Sequence, residues 1–346
     1  MRKTYTASKF LFQNGRRRSL ASLSAGLNYD ETKLLEAASL GDVVTVQKLL
    51  DQGVKASIKD SLDRTPLLGA VAKNNQQMIE ILTPKCDTLD FYEALMSAIR
   101  QGKAAIACYL VNSPRYDECM AEVRKRIATG HEVLRNKNDH KSRRPLQNGM
   151  NSKLGSRKDA YSVTLATNAS PIVLAAQMNL FEVVKTLLDK GERIEMPDNA
   201  SATATGMDPY YVAKTRLETY RGLTSEAYVS LANTDPIRTA MELGQSLRQN
   251  ANIERYFSEE YNELADALSS YLVKLMDHVR NTRELDTIIN HTVDGTEDKF
   301  ATLKVAVDYG EMKVRKLQFK VNINLKLRCT RNATFLGNHA YGMGMR

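Results

Sequence analysis

The sequence predicts an all-α protein: an α-solenoid of stacked helix hairpins, then a helical linker domain, with no transmembrane segment in this chain. Three observations carry that prediction. The stretches LLEAASLGDVVTVQKLL (34–50) and PLLGAVAKNNQQMIEIL (66–82) superpose with a shift of 33 or close to it, as stacked units do. Beyond residue 210 apolar residues recur every three or four positions, the period of an amphipathic helix. No apolar run approaches the roughly 20 residues that cross a bilayer, the best being PIVLAAQM (171–178).

In the superposition Leu35 falls on Leu68, Gly41 on Asn74, Val46 on Ile79 and Leu49 on Leu82. Thr65-Pro66-Leu67 opens the second unit, with Pro66 at a first helical turn where its missing N–H leaves nothing unpaired. Gly41 and Asn74 fall between two short helices, where a left-handed residue lets the chain reverse. A third unit, ALMSAIRQGKAAIACYLV (94–111), is shifted by 28 and places Gly102 at the turn. A fourth, SPIVLAAQMNLFEVVKTLLDKG (170–191), places Asn179 there, and its LLDKG repeats the LLDQG of the first. The T-P-L opening and the shared punctuation resemble ankyrin repeats, so residues 30–193 read as an ankyrin array. Each such unit is a hairpin that cannot bury its apolar face alone and must stack on neighbours. Between the third and fourth units, 131–162 is rich in Lys, Arg, Asn and Ser and reads as an extruded basic loop.

A linker of small and polar residues follows (194–209), and then helices return over 210–292. ETYRGLTSEAYVSLA suggests one helix over about 217–232. Thr234 or Asp235 supplies the N-cap of another helical stretch, which Pro236 opens and which runs to about Val279. Its apolar residues mark one face at Ile237, Met241, Leu243 and Leu247, and a second at Tyr261, Leu264, Leu268, Leu272, Leu275 and Met276. Glu254, Glu259, Glu260 and Glu263 read as a solvated face. TRELDTIIN (282–290) closes the region. The ends, 1–29 and 293–346, read as a disordered basic tail and a divergent basic tail. The first 29 residues carry no acid before Asp30, a composition also found in mitochondrial transit peptides.

RLETYRGLTSEAYVSLANTDPIRTAMELGQSLRQNANIERYFSEEYNELADAL (216–268) resembles the segment after the ankyrin repeats in transient receptor potential cation channels of the short, TRPC-type branch. The family pattern is matched at Arg216, Tyr220, Arg221, Leu223, Thr224, Ser225, Ala227, Tyr228, Leu231, Asp235, Pro236, Thr239, Ala240, Glu242 and Leu243. VRNTRELDTIIN (279–290) and the fourth repeat resemble the family as well, and coverage runs from about 31 to 313. The resemblance implies the cytoplasmic assembly and regulatory region of a calcium-permeable channel subunit. It would partner other TRPC-type subunits in homo- or hetero-tetramers, and cytosolic regulators on the ankyrin surface, at the cytoplasmic face of the plasma membrane. Family members often carry a His and three Cys after the last repeat that bind zinc. No Cys or His stands between Gly191 and Arg216, so no metal is expected. The pattern fades after Lys313 without any pore helix, which implies a truncated isoform or fragment, not conducting alone and cytosolic as an isolated chain.

The chemistry-bearing residues point to no enzyme and no cofactor. The five His (His131, His140, His278, His291, His339) lack spaced Cys, Asp or Glu partners, and no GxxxxGK[ST], GxSxG or HExxH occurs. The four Cys (Cys86, Cys108, Cys119, Cys329) show no metal spacing and read as free thiols. The net charge of +9 is gathered at the ends and in 131–162, while no nucleic-acid motif accompanies it. A free ankyrin adaptor, binding protein partners through its concave face, is the competing reading. KLQFKVNINLKLR (316–328) alternates apolar and polar residues with a strand's period of two, and it stands where the route to the membrane should run.

Overall fold

A computed structural model describes residues 27–60, 62–126, 170–197, 209–279 and 282–289, together with residues 302, 304 and 309. The described regular structure is helical throughout. The loop 131–162, nearly all of the N-terminal tail, and the 316–328 alternation lie outside the described residues. The chain forms two compact units, Met1–Glu122 and Val123–Arg346.

The first unit holds three hairpins: α1 (Tyr29–Leu40) with α2 (Val43–Asp51), α3 (Pro66–Lys73) with α4 (Gln76–Leu82), and α5 (Thr88–Arg100) with α6 (Ala104–Asn112). Local chemistry sets their ends. The Glu31 carboxylate takes the Asn28 N–H at 2.9 Å. Asp42 caps α2 through the Thr45 N–H, Thr65 caps α3 through the Leu68 N–H, and Asn75 caps α4 through the Met78 N–H. Each satisfies a donor that helix geometry leaves unpaired. The turn residues read from the repeat are left-handed, with φ of 89° at Gly41, 59° at Asn74 and 68° at Gly102.

Packing runs in register. The first helix of each hairpin lies on the first helix of the next, α1 on α3 and α3 on α5, while α2 lies on α4. Small side chains (Ala37, Ala38, Ala70, Ala94 and Ala98, all buried) let the first helices approach, and Leu49, Ile79, Leu82, Ile106 and Leu110 fill the second layer. Each large side chain buried there stabilises by about 1.5–3 kcal/mol. The turns are also tied together. Asn75 donates from its side chain to the Gly41 carbonyl at 3.4 Å, and the Lys103 ammonium donates to the Ala72 carbonyl at 2.8 Å.

The second unit contains α7 (Pro171–Gln177), α8 (Phe181–Asp189), α9 (Pro209–Leu223), α10 (Glu226–Ala232), α11 (Pro236–Ile253), α12 (Ser258–Asp277) and α13 (Thr282–Ile289). The fourth hairpin, α7–α8, turns at Asn179 with φ 55°. The single helix expected over 217–232 is two. Ser225 accepts the Tyr228 N–H at 3.2 Å and starts a new helix, so the chain turns at Thr224-Ser225. Asp235 caps α11 through the Arg238 N–H at 3.0 Å, with Pro236 in its first turn. The stretch to Val279 is also divided. A short 3-10 turn, Arg255–Phe257, folds α12 back along α11, and this is why its apolar positions mark two faces.

Candidate functional site

The helices after the fourth hairpin are built as a further hairpin. Helix α9 lies on α7 and α10 lies on α8, the same helix-to-helix order that relates one repeat to the next in the first unit. Gly222 makes the close approach possible. A Cβ there would meet Val173 Cγ1 and Ile194 Cδ1 at 3.2 Å, so only hydrogen fits without displacement. Four hydrogen bonds fix the register. The Gln177 side chain donates to the Glu218 carbonyl at 2.7 Å and to its carboxylate at 3.0 Å. The Tyr228 hydroxyl accepts the Ile194 N–H at 2.9 Å.

The fourth register bond comes from the turn itself. Asn179 Oδ1 accepts the Ala227 N–H at 2.8 Å. One orphan donor at the start of α10 is thereby satisfied by the turn of the preceding hairpin. In the first unit a side chain of the next hairpin reaches back to a turn carbonyl. Here the turn side chain reaches forward to a helix N–H.

Behind this seat the long hairpin α11–α12 is locked to α9 by a polar network. The Arg216 guanidinium, 7% exposed, pairs with the Glu254 carboxylate. Glu254 also accepts the Tyr261 hydroxyl at 2.7 Å, and the Tyr261 ring stands edge-on to Tyr220 at 5.9 Å. Burial pushes the Tyr261 phenol up to about 12, against the opposing charge of Arg216. Tyr261 therefore enters the network as a neutral donor. Glu254 was expected on a solvated face together with Glu259, Glu260 and Glu263. The structure instead places it at the C-terminal end of α11, where the turn aims its carboxylate inward at Arg216, 38 residues away. A pairing over that separation leaves no trace in local periodicity.

Other buried titratable groups among the described residues tie elements together or stay neutral. In the first unit Lys59 bridges the buried Asp90 at 3.0 Å and Glu93 at 3.6 Å, tying the loop after α2 to α5. Burial raises the Glu93 carboxyl above its ordinary range despite the opposing Lys59 charge. Cys86, Cys108 and Cys119 are free thiols. Burial pushes the Cys86 thiol up to about 11 and Cys119 up to about 12, so both stay protonated at neutral pH and are poor nucleophiles. His278 sits at the end of α12 with its Nδ1 2.6 Å from the Lys274 carbonyl. The other four His, and Cys329, lie outside the described residues. Among the described residues no group of three or more His, Cys, Asp or Glu is arranged to hold a metal ion.

The comparisons with known proteins fall on this architecture. Residues 34–121 match the family model described as ankyrin repeats in three copies, and cover the first unit's hairpins. Residues 201–258 match the model "Transient receptor ion channel II", which covers α9, α10, α11 and the turn beyond. The chain is 27% identical over 279 residues to "Short transient receptor potential channel 3" of Rattus norvegicus. The chain is a homologue of the transient receptor potential channels. It is also 29% identical over 300 residues to the "Transient-receptor-potential-like protein" of Caenorhabditis elegans and 28% identical over 280 residues to the "Transient receptor potential-gamma protein" of Drosophila melanogaster. These alignments cover 78%, 81% and 78% of this chain, but only 29%, 26% and 22% of the relatives' own lengths. The homology thus spans both features that the helices display: ankyrin hairpins in the first unit, and in the second a helical segment seated on the fourth hairpin.

Proposed function

We propose that the chain is the cytoplasmic assembly and regulatory region of a calcium-permeable, TRPC-type cation channel subunit. One observation carries the reading. The segment that matches the channel-specific model is packed on the fourth hairpin as a further repeat, and the Arg216–Glu254–Tyr261 network locks a long hairpin onto it. In this reading the linker helices extend the fourth hairpin and hold subunits in fixed register. Ion passage would belong to membrane-spanning helices, and no helix among the described residues is long and apolar enough to be one. The chain's partners in this reading are other TRPC-type subunits, with cytosolic regulators on the ankyrin surface, at the inner face of the plasma membrane.

The competing reading, a free ankyrin adaptor, predicts a monomer. Light scattering after size exclusion, on the full chain at tens of micromolar, separates the two. Self-association into a defined oligomer supports channel assembly, whereas a strict monomer over that range counts against it.

A further inference from the structure

The turn between α11 and α12 exposes an aromatic patch that the assembly reading does not use. Tyr256 is 72% exposed and Ile253 is 68% exposed. The Tyr256 ring stands at 90° to Tyr210, with centroids 6.0 Å apart, and Tyr210 lies 5.4 Å from the Phe257 ring. Ile253 and Tyr256, three residues apart at one turn and beside the Tyr210 and Phe257 rings, offer an apolar surface to a partner. The patch also has a sign. Exposed Glu259, Glu263 and Asp266 follow it at helical spacing along one side of α12, against Arg255 in the turn itself.

Residues 316–328 have the complementary chemistry. They carry Leu317, Phe319, Val321, Ile323, Leu325 and Leu327 at every second position, with Lys316, Lys320, Lys326 and Arg328 and no acid. Of the other basic stretches, 131–162 has few apolar residues and would offer the patch charge alone, and the acid-free tail 1–29 gathers Phe10, Leu11 and Phe12 in one run instead of alternating them with polar residues. Reach is no obstacle. The 26 residues between Ile289 and Lys316 can span up to roughly 90 Å, and α12 itself is roughly 30 Å long.

We propose that segment 316–328 of this chain docks on the Ile253–Tyr256 elbow. Phe319, Val321 and Ile323 lie against Tyr256 and Ile253, and the long lysine stems reach sideways to Glu259 and Glu263. The inference does not depend on the channel reading, since it rests on surface chemistry within this chain.

The test is zero-length carbodiimide cross-linking of the full chain, read by mass spectrometry on an equal mixture of natural-abundance and nitrogen-15-labelled protein. The expected result is isopeptide bonds from Lys316, Lys320 or Lys326 to Glu259 or Glu263 within single chains. Their yield falls about ten-fold or more when the apolar contact is removed. Two variants remove it: Ile253→Asp with Tyr256→Asp on the elbow, and Phe319→Asp with Ile323→Asp on the segment, where no described helix is touched. Wild-type protein without these bonds overturns the proposal. So do bonds that survive both variants, bonds that join only different chains, or a different basic segment linked to Glu259 and Glu263.

Discussion

Asn74 and Asn179 hold the same left-handed backbone, with φ of 59° and 55°, yet their side chains do different things. Asn179 Oδ1 accepts the Ala227 N–H and so caps a helix 48 residues on. The Asn74 side chain has no such partner among the described residues. Glycine adopts this backbone without strain, so replacing either residue by glycine isolates the side chain's contribution. Asn74→Gly is expected to leave stability within about 0.5 kcal/mol of the parent, as for surface changes away from special contacts. Asn179→Gly is expected to lower it by about 0.5–2 kcal/mol, the range for a lost helix cap. Urea unfolding followed by circular dichroism gives both values, and equal effects would remove the capping role from Asn179. The same pair shows what a sequence can and cannot display. The repeat placed Gly41, Asn74, Gly102 and Asn179 at turns because chain reversal demands a particular backbone. The bond from Asn179 to Ala227 joins two local patterns that carry no mark of each other.

Two helical glycines make the corresponding contrast between elements. At Gly69 in α3 a Cβ would sit 3.8 Å from the Ala38 backbone, an ordinary contact. At Gly222 in α9 it would meet Val173 Cγ1 at 3.2 Å and the Val173 backbone at 3.4 Å. Gly69→Ala is therefore expected to stabilise by about 0.5–1 kcal/mol, through a stiffer unfolded chain and better helix propensity. Gly222→Val forces α9 from α7 and is expected to cost about 1–3 kcal/mol, as overpacking does. Thermal unfolding of the two variants should shift in opposite directions. A shared direction would mean that the α9–α7 seat yields. At this scale the sequence showed the hairpins, a cap at Thr234 or Asp235, and the Pro that opens each of α3, α7 and α11. It did not show the break at Thr224-Ser225. The Ser225 cap that divides the two helices is local, but the contacts that hold each half, Gly222 against Val173 and the Ala227 N–H on Asn179, come from residues more than 40 positions earlier.

For the molecule as a whole, the two units carry separate cores, so damage to one should leave the other intact. Arg216 is the sharpest probe. It is almost fully buried, and it neutralises a Glu254 carboxylate that also holds the Tyr261 hydroxyl. Removing one partner of such a pair leaves an uncompensated charge in a poorly solvated place, at a cost of about 3–5 kcal/mol. Arg216→Leu is thus expected to loosen α11 and α12 from α9, and with them the seat that covers α7 and α8. Native-state hydrogen exchange resolves the consequence by element. Amides of α7, α8, α9 and α11 should lose protection, while those of α3 and α5 in the first unit keep theirs. A uniform loss across both units would mean that they unfold as one body. No loss in α7 and α8 would mean that the fourth hairpin stands without its helical extension, and the proposed coupling of the linker helices to that hairpin would fall with it.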